Sequence, residues 1–300
     1  METQQKDESV AMESNGVMLD AGGNAMKSLR EQTWSMSKLK LLESCPLNFY
    51  LSYLYKFRHV DENQDTIERD LGTTIHYLLE MMQAGMTIAE AYEETELKYH
   101  SVVGADNWPR IIGMLPSVRK FNRMMHDKDE QLGFDYVEPE MKMALNRDFE
   151  PVDFFSPDAF FRGVVDYMAR HGDEALVIDF KKGGNGWLTK YHSPQLSSYL
   201  LMDYFCNGKF EKGTSYIYYV ESGELSRGPV LEGHMIETHT RKWLEDKIES
   251  AIVAVEEEGY FKHQRCNMCK YCDYAPLCKD GKRGTSGSLT KYAIESKGIL

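Results

Sequence analysis

Apolar and polar residues alternate along much of the second half of the chain, which is the pattern of β-strands with one buried face. The pattern predicts five strands, over 134–145, 159–170, 174–182, 214–222 and 228–238. His171, Gly172 and Asp173 supply a polar turn between the second strand and the third. Because this connection is so short, we expect those two strands to pair as a hairpin.

Apolar residues with helical spacing flank the predicted strands. They predict helices over 69–82, 87–100, 107–127, 192–205 and 239–259, and a helical segment from Trp34 to Phe57 that is broken at Cys45-Pro46. Ser193 is the expected cap of the helix over 192–205, and Pro194 is its expected first residue. Helices, three strands, a helix, two strands and a helix follow one another, which predicts a mixed α/β core and not a regular βαβ winding.

Length and composition indicate a soluble globular protein. The 300 residues are 42% hydrophobic and 27% charged, so the chain can bury a sizeable core. No apolar run approaches the roughly 20 residues of a membrane helix, and the sequence does not begin with the charged-then-apolar pattern of a secretion signal. We therefore expect a cytoplasmic protein with a disordered tail over residues 1–32.

The charge is acidic overall but unevenly distributed. A net charge of −12, taken alone, argues against a nucleic-acid-binding protein, because such surfaces are usually basic. Residues 61–100 hold ten acids against two bases, whereas residues 260–300 hold eight bases against three acids. A basic tail over 281–300 can contact phosphates, and a bound metal ion adds positive charge of its own. A phosphate substrate is therefore not excluded.

Candidate chemistry lies on the two hairpin strands. Asp166 is in the first of them, and Asp179 is in the second, within the stretch VIDFKKGGNG. Side chains alternate along a strand, so Asp179 and Lys181 project to one face. Two carboxylates can hold a divalent cation that activates water, and a lysine can position that water beside a phosphate. The set indicates metal-assisted phosphodiester cleavage, although Asp179 and Lys181 alone also fit an ordinary salt pair.

Four of the six cysteines lie within thirteen residues near the C-terminus, with the spacing C-x2-C-x2-C-x5-C. In a chain without a secretion signal, such crowding favours a metal centre over disulfides. Zinc and iron–sulfur are both compatible with these residues.

Four short motifs, taken in order, resemble the PD-(D/E)XK nuclease superfamily, specifically its RecB-like exonuclease branch. That branch includes the CRISPR adaptation nucleases and the nuclease domains of recombination helicase–nucleases. The motifs in this chain are GTTIH, GVVD, IDFKKG and QLSSY. The resemblance implies Mg²⁺ or Mn²⁺ binding by His76, Asp166 and Asp179, catalysis by Asp166, Asp179 and Lys181, and DNA contact by Gln195 and Tyr199.

The resemblance also implies a restriction-endonuclease-like α/β fold, with a mixed sheet flanked by helices. It implies one nuclease domain over 33–280, made of a mostly helical part (33–130), an α/β catalytic core (131–260) and a Cys-cluster segment (261–280). A glutamate often precedes the G-x-x-D strand in this family, and Glu138 and Glu140 both fit that role. Lys182 stands where the family usually has threonine.

For the thiols, the resemblance implies a structural 4Fe–4S cluster whose ligands are Cys45, Cys269, Cys272 and Cys278. The cluster would join chain segments that are more than 200 residues apart. A zinc site made of Cys266 and the last three of these cysteines is the alternative. Cys206 is expected to be a small buried residue.

These features and the resemblance together predict a metal-dependent DNA nuclease, an exonuclease on single strands or duplex ends. The resemblance also implies that a prokaryote or a phage encodes it. Its expected partners are DNA and a helicase or other recombination or integration protein. Two alternatives remain: a non-catalytic DNA- or helicase-binding module of the same fold, and a zinc-binding regulatory protein. The presence of Asp166, Asp179 and Lys181 together favours the enzyme.

Overall fold

The computed structural model describes residues 27–57, 67–266, 269, 272–274 and 278. Most of the predicted tail over 1–32 and all of the predicted basic tail over 281–300 lie outside these ranges, so both stay predictions. Within the described ranges, no helix combines the length and the apolar character that a membrane span requires.

Through the first half of the chain, the helices agree with the predicted ones in number and order. The α-helices of the described residues are α1 (Met36–Ser44), α2 (Pro46–Phe49), α3 (Ile67–Gln83), α4 (Ile88–Val103), α5 (Trp108–Leu132), α6 (Thr189–Cys206), α7 (Gly233–Met235) and α8 (Arg241–Glu258). A 3₁₀ turn over Gly186–Leu188 leads directly into α6. Pro46 occupies the first turn of α2, where its missing N–H has no helical acceptor to lose.

Five strands form one mixed sheet in the order β1-β2-β3-β4-β5. They are β1 (Tyr136–Leu145), β2 (Phe161–His171), β3 (Glu174–Lys181), β4 (Lys212–Tyr219) and β5 (Glu224–Glu232). β3 and β4 are parallel, and the other neighbouring pairs are antiparallel. Because parallel neighbours need a crossover, α6 connects β3 to β4. The predicted mixed α/β fold and the β2–β3 hairpin are confirmed.

The chain divides into two compact units. The sheet unit comprises Thr33–Met36 and Asn63–Ile248, and the cysteine unit comprises Met1–Gln32, Ser37–Glu62 and Glu249–Leu300. The sheet unit holds all five strands and α3 to α6, whereas the cysteine unit holds α2, most of α1 and the second half of α8. The predicted single domain over 33–280 and its subdivisions stay a prediction.

One face of the sheet packs on α3, α4 and α5. Phe121 of α5 lies at the centre of this core, with ring centroids 4.9 Å from Phe180 and Tyr218 and 5.7 Å from Tyr167. Ile178 and Phe180 belong to this core, so the alternation of β3 turns Asp179 and Lys181 to the opposite face, as predicted. Each fully buried aliphatic or aromatic side chain contributes roughly 1.5–3 kcal/mol.

Two local predictions were wrong. The helix that contains Pro194 begins at Thr189, so Ser193 lies inside it and its hydroxyl donates to the Thr189 carbonyl at 3.1 Å. The preceding 3₁₀ turn already supplies the first helical bonds, and tertiary packing therefore overrides the proline signal. The strand predicted over 228–238 ends at Glu232, and residues 233–240 are helical.

Candidate active site

The site lies where β2 and β3 stop pairing. Their ladder ends at the pair Tyr167 and Ile178, and Asp166 and Asp179 are the next residues on the two strands. The Phe180 N–H donates to Asp166 Oδ2 at 2.5 Å, so a carboxylate replaces the backbone acceptor at this point. The divergence of the strands thus opens a gap that is lined by two buried aspartates.

His76 and Glu140 complete a cluster around Asp166. One ligand atom from each of these three residues lies within 4.8 Å of the others, and His76 Nδ1 is 3.4 Å from Asp166 Oδ1. The buried stripe of α3, which includes Ile75 and Leu79, packs against the sheet. This packing holds His76 at the rim of the buried face, with 30% of its side chain exposed.

Glu140 reaches the cluster through an unusual backbone conformation. Its φ is +49°, in the left-handed region that side chains other than Gly, Asn and Asp rarely adopt. The β1–β2 ladder pairs Pro139 and Met141 but skips Glu140. Such a conformation costs of the order of 1–3 kcal/mol and typically marks functional positions. Glu138, the other predicted candidate, is exposed and lies outside the cluster.

Asp179 is surrounded by groups that hold its carboxylate in place. Lys181 Nζ lies 2.6 Å from Asp179 Oδ2, and Gln195 Nε2 donates to Oδ1 at 3.1 Å. Gln195 Nε2 also donates to the Tyr199 hydroxyl at 2.6 Å. Oδ2 is buried and faces the Lys181 ammonium group, which supplies its counter-charge.

The carboxylates differ in their affinity for protons. Burial raises the pKa of Asp179 to about 6. Burial acts on Asp166 in the same direction, but the neighbouring His76 outweighs it and holds the pKa of Asp166 below its usual value. Burial, together with the charge of Asp166, raises the pKa of Glu140 to about 7. Near neutral pH a cation therefore competes with protons for part of this oxygen set.

The two basic groups remain protonated when no cation is bound. Burial lowers the pKa of His76, but the negative charge of Asp166 outweighs it, and the pKa rises to about 9. The pKa of Lys181 is likewise raised, because Asp179 and Asp166 outweigh the effect of burial. The positive charges of His76 and Lys181 thus offset the cost of placing two carboxylates in a buried gap.

Lys182 is directed away from the site. Its Nζ lies 2.5 Å from Glu68 and 3.1 Å from Glu221, and Arg110 binds the same Glu68 with two hydrogen bonds. Of the two lysines in IDFKKG, Lys181 lies beside an aspartate of the gap and Lys182 does not.

Gly163 of GVVD allows α6 to approach β2 closely. A Cβ at this position would lie 2.6 Å from Met202 Cε and 3.3 Å from Tyr199 Cε1. Tyr199 is only 7% exposed, so its ring packs against the strand while its hydroxyl reaches Gln195. The predicted DNA contact by Tyr199 stays a prediction.

Four cysteines of the cysteine unit line one small cavity, whose volume is about 30 Å³. They are Cys45, Cys269, Cys272 and Cys278. Asn48 Nδ2 donates to Cys272 Sγ at 3.3 Å, and burial raises the pKa of the Cys272 thiol to about 11. Among the described residues, no three cysteine sulfurs lie within 4.8 Å of one another.

The other two cysteines are placed differently. Cys266 Sγ is 4.0 Å from Cys269 Sγ, and the Cys266 N–H donates to that sulfur at 3.2 Å, but Cys266 does not line the cavity. Cys206, at the end of α6, is partly buried and donates to the Ala144 carbonyl at 3.7 Å.

Residues 33–279 match the family model of the PD-(D/E)XK nuclease superfamily. This chain is a PD-(D/E)XK nuclease. Among solved structures, the crystal structure of SSO0001 is similar to this chain, with 16% sequence identity and a TM-score of 0.31. The match covers 82% of this chain and 96% of the SSO0001 chain. At that level of similarity the match carries no argument. No curated protein matches this nuclease.

Sequence reasoning left one functional residue of the nuclease undecided. Glu138 and Glu140 have equal standing in the sequence, and their separation by two residues suggests that both face the same side of β1. The left-handed backbone at Glu140 breaks that alternation. The residue type does not predict this backbone conformation, since glutamate has no preference for the left-handed region.

Proposed function

We propose that this nuclease is an Mg²⁺- or Mn²⁺-dependent deoxyribonuclease that acts as an exonuclease on single strands or duplex ends. The observation that carries the proposal is the cluster of His76, Glu140 and Asp166 beside the Asp179–Lys181 pair. Membership of the superfamily supports hydrolysis of nucleic acid by a metal-dependent mechanism. A helicase or other recombination partner stays a prediction.

The donor set suits a hard divalent cation. Asp166, Asp179 and Glu140 offer carboxylate oxygens, which Mg²⁺ and Mn²⁺ prefer, and His76 offers one imidazole nitrogen. The buried Asp179 Oδ2 lies 2.6 Å from the Lys181 ammonium group, so this end of the gap already accommodates positive charge. The bound cation would supply Lewis-acid polarisation of the phosphate and a more acidic water.

Lys181 supplies the positive charge that the protein itself brings to the reaction. Its ammonium group lies 2.6 Å from Asp179 in a buried environment, where a charge interacts more strongly than in water. It can orient an attacking water and offset the charge that develops on the phosphate oxygens. Lys181 therefore combines positioning with electrostatic stabilisation.

Gln195 is a positioning residue for Asp179. Its amide group donates both to Asp179 and to the Tyr199 hydroxyl, at 3.1 and 2.6 Å. One turn of α6 separates Gln195 from Tyr199, so both project toward the same end of the gap. Contact of these two residues with the DNA backbone forms part of the proposal.

Digestion of end-labelled single-stranded and double-stranded DNA, with and without Mg²⁺ or Mn²⁺, tests the function. We expect metal-dependent release of mononucleotides or short products from ends, and no such release by Asp179→Asn. Asp173→Asn is the matched control, because this exposed acid lies in the turn before the same strand. Cleavage by Asp179→Asn at the wild-type rate, or cleavage only within closed circles, would contradict the proposal.

We further propose that Cys45, Cys269, Cys272 and Cys278 hold a structural 4Fe–4S cluster. A tetrahedral zinc site draws its sulfurs to roughly 3.8 Å from one another, whereas in a four-iron cluster each thiolate binds its own iron and stands further from the others. The shared cavity, with no three thiols within 4.8 Å, supports the cluster. The Asn48 amide donates to the Cys272 sulfur, and such a donor would orient a ligand thiolate toward the cluster.

The zinc alternative rests on Cys266, which is 4.0 Å from Cys269. Anaerobic purification followed by iron, sulfide and zinc analysis separates the two. We expect a brown protein with about four irons per chain, and we expect Cys266→Ser to keep that iron. Colourless protein with one zinc per chain, lost in Cys266→Ser, would favour zinc instead.

A further inference from the structure

Two exposed aromatic side chains lie just before the QLSSY motif of α6. Trp187 has 91% of its surface exposed and Tyr191 has 64%. Tryptophan is highly buried on average, so a tryptophan this exposed calls for an explanation. The proposed function gives neither ring a role.

These rings continue the line of residues that leads to the carboxylates. Trp187, Tyr191, Gln195 and Tyr199 are spaced four apart along a continuous helical segment, so neighbours lie on nearly the same face. Exposure falls along this line from 91% at Trp187 through 64% at Tyr191 to 7% at Tyr199. At about 1.5 Å per residue, Trp187 lies about 12 Å along the axis from Gln195.

The segment that presents Trp187 is fastened from below. Asn185 caps the turn through a bond from the Trp187 N–H, at 3.2 Å, and the Gly186 N–H donates to Glu224 at 3.2 Å. A Cβ at Gly186 would lie 2.6 Å from the Glu224 carboxylate, so a larger residue here would displace the Glu224 side chain. Thr189 donates to Ser226 at 2.9 Å.

Fixed residues therefore alternate with exposed ones. Gly186 and Thr189 face β5, whereas Trp187 and Tyr191 face outward, and the exposed Lys190 stands beside them. A rigid, exposed aromatic face with a neighbouring cation fits an unpaired nucleobase and its phosphate, because every base has a π-face that can stack on a ring. Bases inside a duplex are already stacked on each other and present no free face.

We propose that Trp187 and Tyr191 form a stacking platform for the unpaired bases of a single-stranded DNA next to the cleaved phosphate. The inference rests on the proposed nuclease function and deepens it, because it makes single-stranded DNA the substrate. One base stacks on Tyr191, and a base further from the cleaved bond stacks on Trp187.

Binding of a fluorescently labelled oligo-dT, measured by anisotropy without added divalent metal, tests the platform independently of turnover. We expect Trp187→Ala to bind roughly tenfold more weakly and Tyr191→Ala at least threefold more weakly. Trp187→Phe should retain most of the affinity, whereas Trp187→Leu should not, since leucine offers apolar area without an aromatic face. Leu97→Ala, at an 84% exposed apolar site on α4, is the control and should bind as wild type does.

An oligonucleotide of the same length whose central nucleotides are abasic makes the test specific for bases. Wild type should lose roughly thirtyfold in affinity for the abasic strand, and the double variant Trp187→Ala/Tyr191→Ala should bind both strands equally. A blunt duplex should show no difference between wild type and Trp187→Ala.

The outcomes separate this inference from the proposed function. If wild type digests DNA but Trp187→Ala and Tyr191→Ala bind and digest single strands normally, the platform is wrong and the nuclease assignment stands. An equal loss of duplex and single-strand affinity would also overturn the platform. If wild type neither binds nor digests DNA, both are overturned. Tighter binding of oligo-U than of oligo-dT, with the same dependence on Trp187, would overturn the choice of DNA.

Discussion

The carboxylate cluster of the sheet unit and the cysteine cavity of the cysteine unit are both candidate metal centres, but they are built differently. The carboxylates carry their own counter-charges, since His76 lies 3.4 Å from Asp166 and Lys181 lies 2.6 Å from Asp179. The cysteines instead have neutral amide donors among the described residues, the Asn48 side chain to Cys272 Sγ and the Cys266 backbone N–H to Cys269 Sγ.

The chain connectivity differs as well. The candidate ligands of the first centre are spread over α3 and the three adjacent strands β1, β2 and β3, whose hydrogen bonds already position them. The ligands of the second come from chain segments more than 200 residues apart, and joining such segments restricts the unfolded chain strongly. If both proposed centres hold metal, we expect loss of the first metal to affect chemistry and loss of the second to affect folding.

The largest expected effect is on catalysis. Asp166→Asn and Asp179→Asn should each reduce metal-dependent DNA digestion by roughly a thousandfold or more, because each removes a charged ligand from the cation. Thermal unfolding should change little. Digestion rates and melting curves of the same preparations check both halves, with Asp173→Asn as control. A melting temperature that falls together with activity would break the comparison.

The second effect is on stability. Cys272→Ser should lower the unfolding midpoint on the order of 10 °C and remove the iron, since binding energy of a structural metal is folding energy. Cys206→Ser is the control, because Cys206 lies outside the cavity. Calorimetry with iron analysis measures the outcome. An iron-free Cys272→Ser protein that melts like wild type would show that the cluster has no structural role.

Two glycines should respond in opposite directions. Gly163→Val should destabilise by about 1–3 kcal/mol, because its side chain meets Met202 and Tyr199. Gly72→Ala lies inside α3 with no atom near its Cβ and should stabilise by about 0.5–1 kcal/mol. Denaturant unfolding measures both. Equal effects would mean that α6 does not pack against β2 as closely as described.

The smallest expected effect is at Tyr199. Tyr199→Phe removes the hydroxyl that accepts from Gln195. It should lower stability by about 0.5–1.5 kcal/mol and slow cleavage roughly three- to tenfold. Tyr218→Phe is matched to it, because the Tyr218 hydroxyl donates to Ser117 at 2.6 Å. That variant should lose stability and keep its cleavage rate. If Tyr199→Phe cleaves at the wild-type rate and Tyr218→Phe cleaves more slowly, Tyr199 has no role in the site.

The sequence pattern predicted the strands well because apolar and polar residues alternate in them with a period of two residues. The alternation in β3 placed Ile178 and Phe180 in the core and Asp179 beside Lys181, as found. It failed at Pro194, where the proline suggested a helix start, because bonds to β5 and a 3₁₀ turn begin the helix earlier. It also failed after Glu232, where apolar alternation continues into a helix.

The sequence by itself determined the mixed α/β order, the family motifs and the identity of the residues that carry charge, since these depend on side-chain period and type. Tertiary structure alone decided that β2 and β3 diverge after Tyr167, that Glu140 rather than Glu138 joins His76, and that four of the six cysteines share a cavity. These outcomes depend on backbone angles and on contacts between segments far apart in the chain. No local pattern encodes either, because long-range packing sets them.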